Sequence, residues 1–462
     1  MHLPSRLRAV VAPALLFLSL ASALVAGEIV SGPMLGYRAH REVFLWLETK
    51  DAEEVTLTYW LVNQPDEKHT ITHTDVPVHP AGGQIHHFRP GLLKMGGTYR
   101  YAITIDGQEQ ALAATPTFST QELWEWRTSP PDFSFLFGSC AYINEPEFDR
   151  PGEGYGKTTR TFELMGESDA EFMVWTGDNW YWREPDYDSV SGLWYRPMHD
   201  RAIPEMQKLL GTMHHYATWD DHDYGPNDSN WSYEYKDVAL DIFKAYWGNH
   251  TYGEANNPGV YSKFYWGDAA FFLMDNHYHR DAAGLDQDKH PEKTQWGRPQ
   301  LEWLKQSLLS AKELKHFKFL FIATGNQMLQ TEPRGEPHEL YRREREELLD
   351  FIVENQIEGV IFLTGDVHHS AMYHRKLSDG RMVYDITSSP LSSGSWPVET
   401  SSKAEDPYVI PGTLVGDQNF VRIDVRGEGK RRELLVTCID KQGDTRFEQV
   451  IKLSDLQLPS GN

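Results

Sequence analysis

The sequence predicts an α/β layered domain behind a small antiparallel β-sandwich. Three observations carry that expectation. Two runs before residue 127 alternate apolar and polar side chains, six later runs are apolar at nearly every position, and amphipathic helical stretches separate several of those six.

Taken in order, the N-terminus reads as an export signal. Arg6 and Arg8 supply positive charge, and Ala9 to Ala26 are apolar or small apart from Pro13, Ser19 and Ser22. Ala21-Ser22-Ala23 and Val25-Ala26-Gly27 both suit cleavage, so residues 1–27 are expected to be removed. The run is borderline for spanning a bilayer, and no later segment approaches that length. The expectation is an exported protein, periplasmic or extracellular, with no stable membrane insertion after cleavage.

From Glu28 to Arg127 the pattern is β. Val55, Leu57, Tyr59 and Leu61 alternate with Thr56, Thr58 and Trp60, and Tyr99, Tyr101, Ile103 and Ile105 alternate with Arg100, Ala102 and Thr104. A fibronectin-like antiparallel sandwich over residues 28–127 is expected, carrying no catalytic cluster. Ser129-Pro130-Pro131 reads as a linker.

Residues 132–457 are expected to form the catalytic domain. Phe133–Phe137, Phe172–Trp175, Tyr216–Trp219, Ala269–Met274, Phe317–Ala323 and Val360–Leu363 read as central strands, buried on both faces. Helices are expected over Gly297–Lys312, with Pro299 in the first turn, and over Glu339–Asn355. Strand-like Phe420–Val425 and Glu433–Ile439 follow.

Composition narrows the function. Lys+Arg number 44 and Asp+Glu 67, a formal charge of −23, which argues against nucleic-acid binding as such. A small anionic substrate remains compatible, because cations bound in one cleft reverse the local field. Two cysteines cannot staple 462 residues, so this is no disulfide scaffold. Cys438 reads as a core thiol, with pairing to Cys140 the alternative.

The chemistry sits where the apolar runs end. They run into Gly138-Ser139-Cys140, Gly177-Asp178-Asn179-Trp180-Tyr181, Asp220-Asp221-His222-Asp223, Asp275-Asn276-His277-Tyr278-His279-Arg280, Gly325-Asn326-Gln327 and Gly365-Asp366-Val367-His368. In open α/β sheets ligands bind at the carboxyl ends of strands. Carboxylate, imidazole, phenol and thiol are therefore delivered to one edge. Each piece has a bland reading: Gly-Asp is usually a turn, Cys140 a core thiol, Tyr181 a packed aromatic. Their coincidence at successive strand ends favours a cluster of cations. The aromatics Trp180, Trp182, Trp194, Tyr195, Tyr224 and Trp231 read equally as substrate-stacking groups or as ordinary packing.

Together these residues resemble the alkaline phosphatase D (PhoD-like) family of metallophosphatases. The matching elements are Phe137-Gly138-Ser139-Cys140, Gly177-Asp178-x-x-Tyr181, Trp219-Asp220-Asp221-His222-Asp223 with Asn227 downstream, Gln300-x-x-Trp303-Leu304 and Gly365-Asp366-Val367-His368. The likeness spans about Phe133 to Ser370. It implies a two-sheet α/β sandwich of the metallophosphatase type, phosphoester hydrolysis, and Fe(III) with Ca(II). Carried over, Cys140, Asp178, Tyr181, Asp366 and His368 would hold iron, and Asp221, Asn227 and the shared Asp178 would hold calcium. The donor set also accommodates a dinuclear Mn or Zn pair.

The expected reaction is in-line attack of a metal-bound hydroxide on a small phosphomonoester or phosphodiester. His222, oriented by Asp223 or another carboxylate, would contact phosphate or protonate the leaving oxygen. The family often has an arginine just before the tyrosine ligand, where this chain has Trp180, and Asp-x-Arg where this chain has Asp275-Asn276-His277. Arg280, His277 and Trp180 are the substrate-side candidates, with Arg183 and Lys157 behind them. The alternatives are a hydrolase preferring diesters, of phospholipase type, and a secreted binding protein without catalysis.

Overall fold

The computed structural model describes residues 27–333, 336–396, 398 and 402–459. The expected signal, up to residue 26, lies outside the described residues. Among the described residues no helix is long and apolar enough to cross a membrane.

The N-terminal strands are β1 (Glu28–Arg38), β2 (Val43–Lys50), β3 (Glu54–Leu61), β4 (His69–Thr74), β5 (Gln84–Phe88), β6 (Thr98–Ile105), β7 (Gln108–Glu109) and β8 (Thr117–Ser119). Alternation works here as the sequence implies. Val55, Leu57, Tyr59, Tyr99, Tyr101, Ile103 and Ile105 are buried, packed on Val43, Leu45, Leu47 and Phe88. A five-stranded sheet, β4-β3-β6-β7 with β8 on β6, thus faces β2 and β5. Those two strands, with β1, are also one end of a much larger sheet.

The rest of the chain runs β9 (Phe133–Gly138), α1 (Arg160–Glu167), β10 (Phe172–Thr176), α2 (Val190–Arg201), α3 (Pro204–Thr212), β11 (His214–Thr218), α4 (Asp221–Tyr224), α5 (Lys236–Tyr246), β12 (Ser262–Trp266), β13 (Ala269–Leu273), α6 (Arg298–Leu314), β14 (Phe319–Ala323), α7 (Arg342–Glu354), β15 (Val360–Thr364), β16 (Ala371–Lys376), β17 (Met382–Thr387), β18 (Asn419–Arg426), β19 (Glu433–Asp440) and β20 (Thr445–Lys452). Two sheets result. The nine-stranded one has the order β20-β19-β18-β9-β10-β11-β1-β2-β5, and the six-stranded one β12-β13-β14-β15-β17-β16.

The sheets meet through aromatic rings. Tyr216 stacks on Phe264 with centroids 3.6 Å apart, Phe264 on Phe271 at 4.5 Å, and Phe135 meets Phe271 edge-on at 5.3 Å. Leu301, Leu304 and Leu308 of α6 and Leu348 and Ile352 of α7 cover the far face of the smaller sheet. All five residues of β10, β11, β13, β14 and β15 are buried, as expected of strands covered on both faces. This is the expected two-sheet α/β sandwich.

One strand is shifted. The run Tyr216–Trp219 belongs to β11, which begins at His214, and Trp219 has already left the sheet to donate its indole N–H to Asp275 Oδ1 at 2.7 Å. His214 and His215 look polar, yet burial pushes both imidazoles down to about 3, and they hydrogen-bond the carbonyls of Gly36 and Leu209. A neutral, satisfied imidazole is tolerated in a core strand. Cys438 lies buried on β19 and both cysteines are free, which removes the alternative Cys140–Cys438 pairing.

Candidate metal centre

β9 and β10 are parallel, as are β10 and β11, and β13, β14 and β15 run parallel in the other sheet. Their carboxyl ends meet across the sandwich. Thr218 Oγ1 donates to the Met274 carbonyl at 2.5 Å, Ser139 N to the Ser388 carbonyl at 3.1 Å, and Asp366 N to Ser139 Oγ at 3.1 Å. Two glycines are dictated by the carboxylate at the centre. A Cβ on Gly177, whose φ is +96°, would lie 2.5 Å from Asp220 Cβ, and one on Gly325 would lie 2.4 Å from Asp220 Cγ.

Backbone strain gathers at the same place. Cys140, Asp178, Asp228, Asp366 and His368 have φ of +63°, +54°, +59°, +67° and +54°. Left-handed conformations outside glycine cost about 1–3 kcal/mol each and cluster at functional sites.

The donors form a string. Cys140, Asp178 and His368 offer ligand atoms within 4.8 Å of one another; so do Asp178, Asp221 and His222; Asp221, Asp228 and Glu336; and Asp220, His277 and Glu336. Asp178 is common to the first two groups, the position a bridging carboxylate requires. Tyr181 donates its phenol to Asp178 Oδ2 at 2.7 Å, and Cys140 Sγ lies 3.4 Å from the same oxygen. His368 Nδ1 is engaged by the Gly394 carbonyl and lies 3.1 Å from Ser393 Oγ, which leaves Nε2 as the ligand atom.

Burial, compounded by neighbouring acids or the Cys140 thiol, holds the Asp178, Asp220 and Asp366 carboxyls well above their usual range. It also pushes the Cys140 thiol up to about 12. Asp220 Oδ2 and Glu336 Oε1 are buried with no hydrogen-bond partner. Such groups need an opposite charge. Oxygen, imidazole, phenol and thiol donors together fit a hard or borderline cation pair.

The remaining predicted residues fall in several places. Asp366 is half-buried at the end of β15; its carboxylate belongs to none of the four donor groups, while its carbonyl lies 3.2 Å from Cys140 Sγ. Asn227 is exposed beside Asp228, whose N–H donates to Asp221 Oδ2 at 2.7 Å. His222 is half-buried, 4.2 Å ring to ring from Tyr181.

Four expectations are corrected. Asp223 does not orient His222: its carboxylate accepts the backbone N–H groups of Asp220 at 2.7 Å, Asn179 at 3.2 Å and Asp178 at 3.3 Å, clamping two strand ends together. Trp180 cannot meet substrate, because it is buried among Trp182, Phe243, Tyr246 and Trp247. Arg280 is fully buried, donating to Glu336 at 2.7 Å and Tyr341 at 2.9 Å, so its charge is already taken. His277, equally buried, is held between the Ser229 carbonyl at 2.9 Å and Asp220 Oδ1 at 2.7 Å. Of the weaker candidates, Arg183 is locked on Asp149 and the Tyr142 ring, and Lys157 lies exposed, its Nζ 2.9 Å from Glu153. Trp182 and Tyr224 are buried, whereas Trp231 is 53 % exposed.

The sequence left Glu336, Asp228 and Tyr155 out of the site. Tyr155 OH lies 3.2 Å from His368 Nδ1. Glu336 comes from a loop without periodicity, and nothing local marks it. Asp228 could have been found as a second acid beside Asn227.

Fold and site together define a metallophosphatase built on the two-sheet α/β sandwich. The profile of the PhoD-like phosphatases matches residues 135–431, and the chain belongs to that family. A solved structure of PhoD superposes with a TM-score of 0.70 at 16 % identity, over 93 % of this chain and 92 % of that one. The purple acid phosphatase PPD1 from yellow lupin (Lupinus luteus) seeds superposes with a TM-score of 0.61 at 12 % identity, over 95 % and 77 %. No curated protein matches.

Proposed function

We propose that the protein is an exported hydrolase of small phosphoesters, monoester or diester. The observation that carries this reading is the pair of donor groups sharing Asp178, with Tyr181 on the same carboxylate. Cys140, Asp178, Tyr181, Asp366 and His368 would hold Fe(III), and Asp221, Asn227 and the shared Asp178 would hold Ca(II). Mn or Zn is the simpler alternative pair. When bound, such cations polarise the phosphorus centre and neutralise its equatorial oxygens.

The chain's own residues do the positioning. Asp178 spans the two donor groups. Asp223 fixes the backbones of Asp178 and Asp220 and so holds the two strand ends that carry the donor groups, which is pre-organisation rather than proton transfer. His222, half-buried over Tyr181, contacts a phosphate oxygen or protonates the leaving oxygen. Export rests on the charged and apolar pattern of residues 1–27.

The test is elemental analysis of purified protein beside an aryl monoester and an aryl diester assay. A Tyr181 phenolate on Fe(III) gives a visible charge-transfer band that Tyr181→Phe abolishes. A colourless, iron-free and fully active preparation removes Tyr181 and Cys140 from the ligand set. Absence of hydrolysis by metal-replete protein moves the reading to a binding protein.

A further inference from the structure

A cleft of about 530 Å3 opens beside the metal centre, lined by Tyr155, Lys157, Gly394, Trp396, Asp417 and Lys441 among others. It shares residues with the shell of His368. Tyr155 OH is 3.2 Å from His368 Nδ1, the Gly394 carbonyl engages the same nitrogen, and Trp396 N–H donates to the His368 carbonyl at 3.3 Å. Tyr155 OH also lies 3.5 Å from His368 Nε2, the ligand atom, so a group seated in the cleft against Tyr155 borders the donor string.

Its walls have two characters. Trp396 is 59 % exposed and Tyr155 38 %, a large aromatic area left open in a chain that buries most of its aromatics. Tyr155 is held in place from behind: a Cβ on Gly394 would come within 2.9 Å of its ring. Each of the two lysines is ion-paired. Lys157 Nζ is 2.9 Å from Glu153, and Lys441 Nζ is 2.7 Å from Asp417 and 2.8 Å from Gln418. Lysines already paired with carboxylates around aromatic faces are weak anchors for a second phosphate or a carboxylate. They favour an uncharged flat ring with polar edges.

We infer that this cleft is the leaving-group subsite, and that the substrates are phosphoesters whose leaving group is an uncharged ring, aryl or sugar, seated on Trp396. The inference rests on the hydrolase reading above and narrows it.

The experiment uses the metal-loaded full chain and one ester series differing only in the leaving group: phenyl, glucosyl and the compact hexafluoroisopropyl, whose acidity is close to that of phenol. Each substrate is compared between wild type, Trp396→Ala and Trp396→Phe. The expected result is a rise in KM of about fivefold for the ring esters in Trp396→Ala, none for hexafluoroisopropyl, and recovery in Trp396→Phe. A rise for phenyl alone identifies an aryl ring, and for glucosyl alone a sugar. Equal changes for all three esters, or none, overturn the subsite while leaving the hydrolase reading intact. Wild type inactive on every ester fails the hydrolase reading first, and the subsite with it.

Discussion

Two acidic clusters stand side by side at the carboxyl ends of the strands, and they are solved differently. In one, Asp220, His277 and Glu336 are joined by Arg280, whose guanidinium meets Glu336 at 2.7 Å. In the other, Asp178 gathers Cys140, Tyr181, Asp221 and His222, and among the described residues no Lys or Arg forms an ion pair with them. Burial is comparable; the source of compensating charge is not. The first cluster carries a cation of its own, although Asp220 Oδ2 and Glu336 Oε1 keep unpartnered oxygens. The second must take cations from outside, which separates a positioning network from a reactive one.

Substitutions that remove the shared donor break this contrast most sharply. Asp178→Ala should lower kcat by about a thousandfold or more, since it takes a ligand from both donor groups. Circular dichroism should show the fold retained, because the residue carries mainly the site. Intact activity in a folded Asp178→Ala protein would mean the string is not the reactive centre. Arg280→Gln inverts the pattern. It leaves Glu336 and Asp220 buried without their cation, and a loss of about 3–5 kcal/mol in denaturant unfolding is expected. Metal content per folded molecule should change little. A stable variant that no longer binds metal would place Arg280 in the reactive cluster instead.

Chelation ranks next. Because folded protein alone presents the assembled string, removing metal should cost about 4 kcal/mol at a thousandfold excess of metal over Kd. The shift in Tm should be much smaller in Asp178→Ala, whose site is already impaired. Equal shifts in both proteins would locate the stabilising metal elsewhere.

How far the sequence shows all this depends on which physical signal each part leaves. The sheets were legible because strands buried on both faces must be apolar throughout, and Phe172–Thr176 or Ala269–Leu273 can hardly be anything else. β11 was half hidden because two of its core residues are neutral histidines. The join of β1 to β11 was hidden too, since Gly32 and Pro33 interrupt the alternation of Glu28–Arg38 and only one residue pair, Leu35 with His214, registers the contact. At the site, ligand types at strand ends were readable; the direction of a neighbour was not. Trp180 beside Tyr181 looks the same in sequence whether it faces the cleft or the core. Arg280 looks the same whether it is free for phosphate or spent on Glu336, because its partner lies more than fifty residues away in a loop without pattern.

Asp223 is where the two clusters touch, and it gives the smallest effect of the set. Its oxygens accept N–H groups of Asp178 and Asn179 on one side and of Asp220 on the other. Asp223→Asn keeps one acceptor and turns an amide donor toward backbone donors, which should cost about 1–3 kcal/mol of stability. The kinetic signature separates a clamp from a proton relay. A clamp that slips moves both donor groups, so kcat should fall about tenfold with the shape of the pH–rate profile unchanged. If Asp223 instead tuned His222, the profile's limb belonging to the imidazole would shift while stability held.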